Sequence, residues 1–281
     1  MYGESEDVVG KWLAANPTAR ASIFLATKFG MQFPSHTIDS SPSYCRAALA
    51  RSLARLGTPY VDLYYVHRLD KITPIEATMR VLAEFQAQGQ IRHIGLSECS
   101  AASLRRAHAV APIAAIQVEF NPLCTEIADP KYNLLQTARE LGVAVVVCSP
   151  LARGLFSGGI KTAADVGGPG DLRVPLGLPW FQEGNLEKNL GLVGRVEAMA
   201  KEKGVTTAQM TLAWVLAQGE DFFAIPGTTK VKRLEENLGA LEVVVSEEEN
   251  QAVAKLAAEA AGLRLKPEHM EYNFADTPLE E

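Results

Sequence analysis

The chain has 281 residues, 47% hydrophobic and 21% charged, with a mean hydropathy of +0.02. That balance excludes disorder and collagen-like repeats and predicts a soluble globular protein with a sizeable core. The net charge of −6, without a long basic block, argues against nucleic acid or anionic membrane surfaces as partners. No apolar run approaches the ~18 residues of a membrane helix. Cys45, Cys99, Cys124 and Cys148 lie scattered, without the paired spacing of a disulfide framework or a metal knuckle, so no metal is expected. The opening MYGESEDVVG is charged within seven residues, unlike a signal peptide, and a reducing, cytoplasmic setting is expected.

Six short, nearly continuous apolar runs read as strands: Ser22–Phe29, Tyr60–Val66, Ile91–Ser97, Ile113–Phe120, Val143–Cys148 and Phe222–Ile225. Continuous rather than alternating hydrophobicity is the pattern of parallel strands covered by helices. Helices fill the intervals. Ser41-Pro42 opens one that carries Leu49, Leu53 and Leu56 on one face and closes at Gly57. Thr73-Pro74 opens the next, with Ile75, Met79 and Leu82 in its apolar stripe before Gly89. Ser100 caps a third, and 133–140 forms a fourth before Gly142. Further helices are predicted over 187–203, 206–218, 232–241 and 247–261.

Strands alternating with helices predict successive βα units and an α/β fold, either a doubly wound sheet or a (β/α)8 barrel. No G-x-G-x-x-G follows a strand, which weakens the doubly wound dinucleotide-binding option. Polar residues gather at the carboxyl ends of the strands, where a barrel builds its chemistry: Lys28, His67, Ser97, Gln117, Glu119, Ser149 and Thr228. The Gly/Pro-rich stretch 157–184 reads as a lid or substrate loop, and 262–281 as a polar tail. No linker composition divides the chain, so one domain over 1–281 is expected.

A lysine closing an apolar strand is costly to bury and needs a partner or a task. Lys28 alone is compatible with a Schiff-base nucleophile, and His67 alone with a satisfied core histidine. The surrounding words go further. LATKFG (25–30), DLYYVHRLD (62–70), IRHIGLSE (91–98), IQVEFNP (116–122), SPLARGLFSG (149–158), FQEGNLEKN (181–189) and IPGTTKVKRLEEN (225–237) occur in order, followed by FADTP (274–278). Together they resemble the aldo-keto reductase superfamily over essentially the whole chain.

The resemblance implies a (β/α)8 TIM barrel that reduces an aldehyde or ketone to an alcohol with NADPH. Tyr2, Lys28 and His67 then match the catalytic tyrosine, lysine and histidine. The roles are chemically coherent: an ammonium lowers a phenol's pKa from ~10, and an imidazole can hold the carbonyl oxygen. Ser97 and Gln117 match the residues that hold the nicotinamide carboxamide. Ser149, Leu151 and Arg153 match the loop along the pyrophosphate. Gly227, Thr228, Lys230 and Arg233 match the segment around the adenosine 2′-phosphate, and Glu236 and Asn237 the adenine contacts. Two cations beside a phosphate monoester favour NADPH over NADH. Two departures stand out. Glu98 replaces the frequent asparagine after Ser97, and Cys148 replaces a tyrosine that stacks on the nicotinamide, which implies weaker cofactor affinity.

The family's fourth catalytic residue, an aspartate five positions before the tyrosine, would fall upstream of Met1. On that pattern about two strands and one helix, roughly 50–60 residues, precede the chain, and the barrel is expected to be incomplete, with six strands of eight. Exposed strand edges are then expected to promote aggregation or pairing. Three functions compete: an NADPH-dependent carbonyl reductase of secondary metabolism or detoxification, an impaired nucleotide-binding or regulatory module, and a Schiff-base lyase using Lys28. For the chain as written, weak cofactor binding and very low turnover are expected. Trp180, Phe181, Tyr272 and Phe274 are expected to supply an apolar substrate pocket or to act as packing anchors.

Overall fold

Hydroxyl caps start the helices where the sequence places them. In the computed structural model, which describes residues 3–32, 35 and 37–280, Ser41 Oγ accepts the Tyr44 amide and Ser100 Oγ the Ser103 amide. Thr206 and Ser246 form capping boxes with Gln209 and Glu249. Pro42 sits in the first turn of α2 (Pro42–Leu56), where its missing N–H costs nothing, and Gly57 ends that helix at φ 62°.

Six parallel strands run in the order of the sequence: β1 (Ala26–Phe29), β2 (Val61–Val66), β3 (Ile91–Ser97), β4 (Ile113–Glu119), β5 (Ala144–Cys148) and β6 (Phe222–Ala224). The α/β class and the parallel sheet read from the sequence are borne out. The first strand is shorter than expected. Ser22 belongs to a 3-10 turn over Ala19–Ser22, because Arg20 turns back to Thr58, Tyr60 and Asp62.

The contacts divide the chain into two compact units. One comprises 1–117, 134–143 and 272–281, the other 118–133 and 144–271. In the first, α1 (Ser5–Ala15) packs on α2, and α3 (Ile75–Ala87), α4 (Ala101–Val110) and α5 (Leu134–Glu140) follow side by side. Ile75, Met79 and Leu82 are completely buried, as their 3.6-residue spacing requires. Leu49 and Leu56 are buried too, whereas Leu53 is half-buried and Cys45, Ala48 and Ser52 complete the inner face of α2. At the amino-terminal end of β2, buried Asp62 binds Arg20 at 2.8 Å and Arg92 at 2.9 Å and accepts the Leu25 amide.

The segment 272–280 is not loose. Asp276 accepts hydrogen bonds from Ser100 and Ser103, Thr277 Oγ1 accepts the Ile75 amide, and Arg106 donates to the carbonyls of Thr277 and Pro278. In the second unit, Phe120 stacks on Trp214 at 5.1 Å and meets Phe222 edge-on at 5.4 Å. Helices α6 (Asn185–Glu202), α7 (Thr207–Leu216), α8 (Val231–Leu238), α9 (Glu247–Ala254) and the single turn α10 (Pro267–Met270) complete that unit. No helix among the described residues is long and apolar enough to cross a membrane.

Removing the Asp62 carboxylate leaves Arg20 largely buried without its counter-ion. Urea unfolding of Asp62→Ala is therefore expected to show a loss of about 3–5 kcal/mol. The variant Ser41→Ala, at a half-buried cap, should lose about 1 kcal/mol.

Candidate active site

The parallel register brings Lys28, Tyr65, Gly95 and Ala115 into one row across β1 to β4. A Cβ on Gly95 would lie 2.4 Å from the Tyr65 ring, so only glycine leaves room for the aromatic side chain there. The Lys28 ammonium lies 5.9 Å from the centre of the same ring, within the range of a cation–π contact. One strand-end further, the His67 amide donates to the Phe29 carbonyl at 2.7 Å, which fixes the histidine beside β1.

Lys28 and His67 share a cavity of about 160 Å3, which Thr27, Met31, Tyr44 and Arg55 also line. Among the described residues around it, Glu6 is the one carboxylate. Glu6 accepts the Thr27 hydroxyl at 2.7 Å and pairs with Arg55 at 3.4 Å. Sequence reading passed over Glu6 because it sits in an acidic first turn, where carboxylates are common for the sake of the helix dipole. Burial, together with the charges of Lys28 and Arg68, lowers the His67 pKa to about 3, so its imidazole is neutral at pH 7. Tyr2 lies outside the described residues.

Ser97 and Gln117 are paired across β3 and β4 and are both buried. Arg68 Nη1 donates to Ser97 Oγ at 3.4 Å, and the Glu98 amide donates to the Gln117 carbonyl. Glu98 is buried in the left-handed region at φ 52°, and its carbonyl accepts the Ala275 amide. Asparagine tolerates that backbone better than glutamate, so the departure noted in the sequence coincides with a strained position.

In the second unit, a turn with several positive φ angles follows β5: Ser149 50°, Ala152 47°, Arg153 55° and Gly154 98°. Buried Asn121 holds its start by donating to the Ser149 carbonyl at 3.2 Å. Leu151 is half-buried, and its carbonyl accepts the amides of Gly154 and Phe156. Arg153 pairs with buried Glu119 at 2.8 Å. Gly227, Thr228 and Lys230 form an exposed approach to α8, with Thr228 Oγ1 accepting the Lys230 amide. Arg233, in the first turn of that helix, donates to the Ser157 carbonyl at 3.3 Å, which joins the two cationic stretches. Glu236 and Asn237 are half-buried further along it. Trp180 and Phe181 are buried packing residues, with the Trp180 indole donating to the Gly262 carbonyl. Tyr272 is half-buried, and Lys71 lies 5.3 Å from the centre of its ring.

Residues 1–258 match the model of the Aldo/keto reductase family. Aldo-keto reductase str7 of Strobilurus tenacellus is 47% identical over 92% of this chain and 76% of its own length. Aldo-keto reductase yakc [NADP(+)] of Schizosaccharomyces pombe is 42% identical over 99% of this chain and 82% of its own length. Among solved structures, the glycerol dehydrogenase AKR11B4 from Gluconobacter oxydans superposes with a TM-score of 0.80 at 29% identity, covering 94% of this chain and 80% of that one. The motifs, the parallel α/β architecture and these relatives agree: the chain belongs to the aldo/keto reductase family, with the carbonyl-reducing oxidoreductase chemistry of that family.

Proposed function

We propose that this protein is an NADPH-dependent carbonyl reductase of (β/α)8-barrel type, converting an aldehyde or ketone to the alcohol. The observation that carries the reading is the shared cavity of Lys28 and His67. The donor set suits a dinucleotide phosphate. Arg153 and Arg233 offer guanidinium groups, and Lys230 and Thr228 precede the amino terminus of α8, where exposed amides favour anions. These residues would hold the pyrophosphate and the 2′-phosphate, with Ser97 and Gln117 on the carboxamide and Glu236 and Asn237 on the adenine. The NADP(+) in the name of the fission-yeast relative supports the same cofactor.

When bound, the nicotinamide supplies the hydride. The chain's own task is to polarise the carbonyl and deliver a proton. His67, neutral at pH 7, acts as a hydrogen-bond donor to the carbonyl oxygen rather than as an acid. By the family resemblance the proton comes from Tyr2, and an ammonium such as that of Lys28 is the kind of group that makes a phenol a better acid. Glu6 helps to set the charge of the cavity in which Lys28 sits.

The decisive assay is NADPH oxidation with an aromatic aldehyde. Turnover supports the reading, and NADPH binding without turnover supports a nucleotide-binding module instead. In a chain that turns over, Lys28→Met and His67→Ala should each lower kcat by about 100-fold or more while the NADPH Kd is retained. Nitrogen NMR of the His67 ring should show the neutral form from pH 5 to 8; a midpoint near 6.5 would contradict the assigned role. Because the native pKa lies below that of the unfolded chain, the stability tied to neutral His67 is complete above about pH 6.5. It should be lost as pH falls toward 3. Cys148 is half-buried at the end of β5, and Cys148→Tyr should tighten NADPH binding by about 2- to 10-fold in a fluorescence titration.

A further inference from the structure

The second unit buries a cluster of charge that the hydride chemistry leaves unused. The side chains of Glu119 and Arg264 are 5% and 1% exposed. Glu119 Oε2 accepts Arg153 Nη2 at 2.8 Å and lies 4.0 Å from Arg264 Nη1. Arg264 Nε also faces Glu126 Oε2 at 3.0 Å. Ion pairs this deeply buried add little net stability over well-packed apolar groups, so their value has to be sought in what they fix in place.

What they fix is Arg153. It stands in the left-handed region between Ala152 and Gly154, a run that non-glycine residues keep only when the surroundings impose it. Three neighbours impose it. Glu119 takes the guanidinium, Arg173 Nη1 donates to the Arg153 carbonyl at 3.1 Å, and the Trp180 ring lies 5.6 Å from the guanidinium carbon. Arg173 is itself held by a bidentate pair with Asp171. The backbone leading to Arg264 is anchored in turn. Asn189 donates to the carbonyls of Trp180 and Ala261 and accepts the Ala261 amide, while the Trp180 indole binds the Gly262 carbonyl.

We propose that Glu119 and Arg264 are positioning residues for the phosphate-binding turn: they hold Arg153 in the conformation that meets the cofactor's pyrophosphate. The inference rests on the cofactor assignment above and extends it to a residue more than a hundred positions further along the chain. Arg264 serves a second end as well. By sharing the Glu119 carboxylate, it prevents that charge from being spent on Arg153 alone, and Arg153 keeps its attraction for an anion. A turn ordered in advance binds more tightly because less conformational freedom is lost on association.

The test is a double-mutant cycle on the full chain, read by fluorescence titration with NADPH and by steady-state kinetics. Arg264→Met is expected to raise the NADPH Kd on the order of ten-fold. The KM for NADPH should rise in parallel, with kcat at saturating cofactor nearly unchanged. Glu119→Gln, which keeps shape and removes charge, should act in the same direction, and Arg264→Lys should recover part of the loss. In an Arg153→Met background the Arg264→Met change should cost little more, whereas a merely structural role would add its full effect. NADPH binding by the wild-type chain that is unchanged in both Arg264→Met and Glu119→Gln overturns the proposal, as does full additivity with Arg153→Met. Absence of NADPH binding by the wild-type chain overturns the cofactor assignment, and this proposal with it. If Arg264→Met fails to fold, Glu119→Gln and Arg264→Lys decide.

Discussion

Parallel hydrogen bonding fixes the register of β1 to β4, and the candidate site around Lys28 depends on it. That register places Lys28, Tyr65 and Gly95 side by side, one to a strand. A strand interior is normally a poor place for glycine, which loses the most conformational freedom on folding and offers no side chain to pack. Here its empty side-chain space holds the Tyr65 ring, and the ring faces the Lys28 ammonium. A one-residue slip in any of these strands would turn its side chains to the opposite face and dismantle the row.

Asp62, Glu119 and His67 show two ways of burying a titratable group: a partner offsets the desolvation, or the charge is suppressed. Asp62 has two arginines and a backbone amide. Glu119 has Arg153 and Arg264. His67 is kept neutral by its burial first and by the neighbouring charges of Lys28 and Arg68 second. In the proposed reaction this suits His67 to polarise a carbonyl without competing to be the acid. Under that proposal acid and polariser are separate groups.

The legibility of these features in the sequence depended on distance along the chain. Caps at Ser41, Ser100 and Thr206 are local, since a hydroxyl and an amide three residues apart need nothing else to find each other. Strands were read correctly in kind, and their edges moved by one to four residues where tertiary contacts intervened, as at Ala19–Ser22. Lys28 and His67 were visible because polar residues at the ends of apolar runs are conspicuous. Glu6 and Arg264 were not, since one lies in an ordinary acidic helix start and the other in a stretch with no periodic pattern.

By itself, then, the sequence determined the α/β class, the order of the elements, the family resemblance and the residue types available for reduction. These follow from short-range periodicity and from words of five to thirteen contiguous residues. Only the tertiary structure decided which residues meet. It brought Glu6 into the cavity of Lys28 and His67, drew Arg264 to Glu119, and made the polar end of the chain an anchored strap on α3 and α4. The physical reason is that a long-range contact between buried charges depends on the burial and geometry of both partners, and neither is a property of a local stretch of sequence.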